Sequence, residues 1–231
     1  MVSVERVDVG GGVHLSHVVR RPATASGARP VVLLPGTGMT ARDWDVVTAD
    51  LSSDRTTHAV DLRGHGGSDR PGTYSIALMA ADVVGLLDAL GEPAVDLVGH
   101  SLGGLVACRL AAERPALVRR LVLEDVGVPH RRTPAPPARP EGGLPFDWAV
   151  VEQVRPEIDD PDPGWGEVLR RVAAPTLVIG GGETSHVPQE HVRELVRVLP
   201  VGRLTVIDAG HLVHATEPEQ FIRAVRTFLD E

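Results

Sequence analysis

Lysine is missing from this chain, and all 23 basic side chains are arginine. Alanine and glycine are also abundant, so this reads as coding bias and not as a binding signature. A single cysteine, Cys108, excludes an internal disulfide framework and any multi-cysteine zinc site. Positive charge is in deficit too. Against 31 acidic residues the net charge is −8, which argues against a non-specific binder of phosphate backbones, so no nucleic-acid partner is expected. No apolar run approaches the roughly 18 residues of a membrane span. The opening MVSVERVDVGGG lacks the apolar core of a signal peptide. The expectation is a cytoplasmic protein with no membrane partner. What is present is 231 residues, 42% hydrophobic and 23% charged, the balance of one globular domain with a sizeable core and room for a modest insertion.

Residues 3–9 and 13–20 alternate apolar and polar side chains around Gly10-Gly11-Gly12, the pattern of an opening hairpin. Short continuous apolar runs follow: VVLLP from Val31, THAVD (57–61), AVDLVG (94–99), RLVLED (120–125), PTLVIG (175–180) and RLTVID (203–208). Such runs suit strands buried on both faces. Between them, helical spacing marks Ile76 to Leu90, closed by Gly91, then Leu105 to Glu113, His191 to Leu199, and Pro218 to Leu229. Strands alternating with helices predict a mostly parallel sheet covered on both faces, an α/β fold. Residues 129–166 break this rhythm with a proline-rich stretch. They read as a cap or lid inserted between two strands of a single 1–231 domain, with Phe146, Trp148 and Trp165 to pack it.

The chemistry concentrates at Gly99-His100-Ser101-Leu102-Gly103, directly after a strand and before a helix. This is a G-x-S-x-G nucleophile elbow in the context that gives the pattern meaning. A serine at so sharp a turn holds strained backbone angles, and the flanking glycines remove side chains that would clash. The turn presents Oγ at the carboxyl edge of the sheet. It also leaves the Leu102 N–H at a helix N-terminus, placed to bind a developing oxyanion.

Three segments together resemble the α/β-hydrolase family: GHSLGG, DLRGHGGSD (61–69) and DAGHLVHATEPEQF (208–221). The resemblance covers nearly the whole chain and is nearest to small-cap bacterial esterases and enol-lactonases. It implies an eight-stranded sheet with an antiparallel second strand, and a serine–acid–histidine triad in that chain order. His211, after the last strand and Gly210, sits where the family carries its catalytic histidine. Of the 10 histidines, His65 lies in the RGHG turn, His100 points into the elbow, and His214 on the last helix is the fallback base. The second oxyanion donor falls by position on the Thr37 N–H of Pro35-Gly36-Thr37-Gly38.

The acid departs from the family. Its usual aspartate after the seventh strand is replaced by Thr184 in Gly181-Gly182-Glu183-Thr184-Ser185-His186-Val187-Pro188. A neutral threonine cannot stabilise an imidazolium. Asp125, at the end of the sixth strand, is the favoured substitute, and Glu183 the alternative. Glu124 should project to the opposite side of its strand.

The resulting expectation is a serine hydrolase of carboxylic esters, lactones or thioesters, with Ser101, His211 and Asp125 as catalytic residues and a small-molecule substrate. It would need no metal and no cofactor. Other readings on the same scaffold are a carbon–carbon bond hydrolase, a lyase or cyclase, or a ligand receptor. A third class is suggested by Gly36-Thr37-Gly38-Met39-Thr40-Ala41 after a strand, with Asp61 ending the next. That is the outline of a dinucleotide fingerprint, hence an NAD-dependent dehydrogenase. Against it stand the preceding hairpin, Pro35 in the turn, and the unexplained GHSLGG.

Overall fold

The computed structural model describes residues 1–24, 27–135 and 137–231. Pro136, inside the expected insertion, lies outside them. Eight strands form one sheet: β1 (Val2–Asp8), β2 (His14–Arg20), β3 (Val31–Leu34), β4 (Thr57–Val60), β5 (Val95–His100), β6 (Val118–Glu124), β7 (Thr176–Gly180) and β8 (Gly202–Val206). Their spatial order is β1-β2-β4-β3-β5-β6-β7-β8. β2 runs antiparallel to both neighbours and the remaining pairs are parallel.

The two-sided burial of the central strands follows from their apolar runs. In β3, Val32 and Leu34 join the core on one face while Val31 and Leu33 join the core on the other. The first face is covered by α2 (Ile76–Leu90), α3 (Leu102–Glu113) and α6 (Gln189–Val198). The second is covered by α1 (Asp45–Leu51), α7 (Val213–Thr216) and α8 (Pro218–Leu229), with Trp44 and Phe221 fully buried among them. Gly91 closes α2 in the left-handed conformation, φ 68°.

Several elements differ from the sequence reading. Helix α1 carries no long apolar stripe and was not expected; the buried Trp44 and Val47 anchor it from inside. The 129–166 stretch contains one helix, α4 (Ala149–Asp159), and the first two residues of a second, α5 (Trp165–Arg170). His214 sits on the separate turn α7 and not on the last helix, because Glu217 leaves helical geometry before Pro218 starts α8. The Gly36–Ala41 segment leads through a 3₁₀ turn (Ala41–Trp44) into the seven-residue α1 and does not itself open a helix as a dinucleotide fingerprint does. Asp61, the would-be ribose ligand, has both carboxylate oxygens taken by the Ala41 and Gly67 N–H groups, at 2.7 and 2.9 Å. Among the described residues no helix is long and apolar enough to cross a membrane.

Candidate active site

Parallel strands deliver their carboxyl ends to one edge of the sheet, and there β5 passes into α3 through Ser101. Its backbone (φ 50°, ψ −116°) lies in a region that few non-glycine residues adopt. The turn closes only because Gly99 lacks a side chain: a Cβ there would lie 2.6 Å from the Gly103 carbonyl oxygen. Ser101 stands half-buried at the mouth of the turn.

One strand over, Asp125 follows β6 with φ 47°. These two are the only non-glycine residues with positive φ among the described residues. The Asp125 carboxylate is fully buried and crowded with donors. Oδ1 accepts the Gly181 N–H at 2.8 Å and Gln189 Nε2 at 3.3 Å. Oδ2 accepts from the Ser185 hydroxyl and from His211 Nδ1, the latter at 2.7 Å. Burial alone would raise its pKa. The hydrogen bonds from His211, Ser185 and Gly181 outweigh that and hold the carboxyl below its usual value. Asp125 is thus an anion, and it accepts the proton on Nδ1 of His211, which turns Nε2 to the other side of the ring.

Ser101 and His211 line the same cavity, of about 670 Å³. Among the described residues no hydrogen bond joins them. Thr37 and Leu102 line the cavity as well. Neither of their N–H groups donates to an acceptor among the described residues. The loop carrying Thr37 is braced from behind by His65, whose Nε2 accepts the Gly38 N–H at 3.1 Å while Nδ1 faces the Arg63 carbonyl. Phe146 of the insertion stacks on that imidazole, ring centroids 5.5 Å apart.

Glu183, the alternative acid, is exposed and makes no hydrogen bond among the described residues; the structure does not bring it to His211. His214, the fallback base, is likewise elsewhere. Its Nδ1 meets both Glu124 oxygens at 2.9 and 2.8 Å, its ring packs 4.3 Å from Trp44, and it does not line the cavity. Glu124 does face away from Asp125, toward that second core.

Sequence reasoning missed three residues around the His211–Asp125 pair. Ser185 follows Thr184 and reaches Asp125 from the loop after β7. His186 lays its ring 4.1 Å from that of His211. His100 donates Nε2–H to the His211 carbonyl at 2.9 Å, pinning the histidine loop to the elbow. Burial pushes the His100 pKa down to about 4, so the ring is neutral and its buried Nδ1 keeps a bare lone pair. Only the adjacency of Ser185 to the expected acid position was a visible signal.

Comparison with known proteins identifies the family. The chain is 29% identical to pyrrolizixenacetamide deacetylase of Xenorhabdus hominickii over 239 residues, covering 86% of this chain and 90% of that protein. It is also 29% identical to the mouse sn-1-specific diacylglycerol lipase ABHD11 over 220 residues, covering 76% of this chain and 72% of that one. A crystal structure of a hydrolase from Pseudomonas aeruginosa superposes with a TM-score of 0.85 at 25% identity, covering 99% of both chains. The profile of the alpha/beta hydrolase fold matches residues 29–149, which hold β3, β5, the elbow and β6. The strand order, the strained serine turn and this match lead to one assignment: the chain belongs to the alpha/beta hydrolase fold family.

Proposed function

We propose that the protein is a serine hydrolase that cleaves carboxylic esters, lactones or thioesters through an acyl-serine intermediate. The observation that carries this reading is the His211–Asp125 pair at 2.7 Å opening onto the cavity that Ser101 lines. His211 Nε2 takes the Ser101 proton as Oγ attacks the substrate carbonyl carbon. The same nitrogen then returns that proton to the departing alkoxide or thiolate. The Thr37 and Leu102 N–H groups hold the oxyanion in both tetrahedral intermediates. Water, deprotonated by His211, attacks the acyl-serine, and His211 returns that proton to the departing Oγ, releasing the acid and free Ser101. Asp125 fixes the tautomer and offsets the positive charge on the imidazole. The 129–166 insertion acts as the cap. A cavity of about 670 Å³ suits a small or medium substrate.

A fluorophosphonate probe tests the nucleophile. Intact-mass spectrometry should show one adduct on the protein and none on Ser101→Ala. An adduct that persists on Ser101→Ala overturns the assignment.

A further inference from the structure

The cavity wall opposite the sheet edge belongs to the insertion, and its chemistry is uneven. Helix α4 presents Val150, Val151, Val154, Arg155 and Ile158 to the cavity, a single stripe at helical spacing. Arg155 is its one polar member. Arg132, from the irregular segment before the helix, joins it on the lining. Both arginines donate Nε to the same oxygen, Oδ1 of the buried Asp159, at 2.5 and 2.9 Å. The Arg132 backbone N–H also donates to the Asp159 carbonyl, at 2.9 Å.

One carboxylate therefore anchors two guanidiniums by their inner nitrogens. Among the described residues none of the four terminal Nη atoms has a protein partner. The neighbouring pair, Arg131 with Asp160 at 3.2 Å, is self-compensating, so the cluster carries one net positive charge. Its field reaches toward the reacting groups. The His186 pKa is lowered first by burial and by His211, with Arg132 and Arg155 adding to the effect. A structural staple between helix and loop needs only one cation per carboxylate. The second, with both forks oriented by their Nε bonds, makes a receptor for an anion.

We propose that Arg132 and Arg155 form a carboxylate subsite, so that the substrates are esters or lactones bearing a second, remote carboxylate. A singly charged planar carboxylate matches both the fork geometry and the net charge, and the apolar valines suit the methylene chain between its two ends. This rests on the serine-hydrolase reading above.

The test pairs 4-nitrophenyl hydrogen adipate with its neutral methyl ester. The ratio of kcat/KM, carboxylated over neutral, should be about tenfold or more in the parent protein, the range of a charge-assisted hydrogen bond or two. It should fall toward one in Arg155→Gln and in Arg132→Gln, with partial retention in Arg155→Lys. Circular dichroism melts identify a variant that has merely unfolded, and the second arginine then supplies the comparison. A parent ratio near one, or a ratio unchanged in folded variants, overturns the subsite while leaving the hydrolase intact. If neither ester is cleaved and the fluorophosphonate does not label Ser101, the hydrolase reading falls instead. Calorimetric binding of adipate to Ser101→Ala then decides the subsite: binding lost on adding Arg155→Gln supports it, and no binding refutes it.

Discussion

Replacing Asp125 with asparagine separates its charge from its shape. Oδ1 of the amide keeps the Gly181 N–H, so the NH₂ group replaces Oδ2 and faces Ser185 and His211. A hydroxyl turns and accepts. The imidazole has a harder choice: to avoid two opposed donors, Nδ1 must give up its proton, which moves to Nε2. His211 then presents N–H to Ser101 and cannot act as base. The buried carboxylate that faced the developing imidazolium is also lost. At an effective dielectric near 20 and about 4 Å, that charge interaction is worth about 4 kcal/mol. Converted at about 1.4 kcal/mol per tenfold, this is roughly a thousandfold, and in serine proteases the equivalent change costs about 10⁴-fold. The expected loss in kcat is therefore about 10³–10⁴. Stability should change little, because asparagine tolerates φ near +47° as aspartate does and the amide remains hydrogen-bonded. The assay is kcat on a short-chain 4-nitrophenyl ester beside a thermal melt, with Glu183→Gln as comparison. The exposed Glu183 should cost less than about threefold, as a screened charge does. A loss below tenfold in a folded Asp125→Asn protein, or a larger loss in Glu183→Gln, refutes the reasoning.

Two further outcomes follow from buried polar groups. Asp61→Ala strands the Ala41 and Gly67 N–H groups, and should lower the unfolding free energy by about 2–4 kcal/mol in urea titration; a loss under about 1 kcal/mol contradicts that role. Burial holds His58 and His100 near a pKa of about 4, against 6.5 ordinarily. Between those values the unfolded chain binds protons that the folded one refuses, so stability is full above about 6.5 and falls on acidification. The slope is about 1.4 kcal/mol per pH unit for each such histidine. Urea midpoints should drop from pH 7 to pH 5, less steeply in His58→Gln; midpoints that rise toward pH 5 contradict the sign.

The sheet was legible in the sequence because burial on both faces leaves a run such as VVLL without polar interruption, and the flanking segments carry helical spacing. The elbow was legible because its glycines answer a local steric demand. Helices α4 and α5 were hidden by the prolines around them and by Pro156 within α4, which follows the periodic Val150, Val151 and Val154. The surroundings of His211 are another matter. The carbonyl that His100 grips is 111 residues away, and Ser185 reaches an aspartate 60 residues earlier. Such contacts are created by strand order, which no local pattern encodes. The same holds for Glu124 and His214, which resemble triad members in the sequence and are brought together on the far face instead.

Ser101 and Asp125 both hold left-handed backbone at the ends of adjacent central strands. Each such residue costs on the order of 1–3 kcal/mol, with aspartate at the low end. Glycine at 101 would relax the chain, whereas glycine at 125 would strand the Gly181 N–H and the other donors that the buried carboxylate satisfies. Stability alone therefore disfavours the serine but not the aspartate. The Ser101 hydroxyl has no hydrogen bond among the described residues, so nothing in the packing of the sheet asks for a serine at that corner. On the proposed chemistry, the strain at Ser101 is stability given up to hold a nucleophile at the cavity.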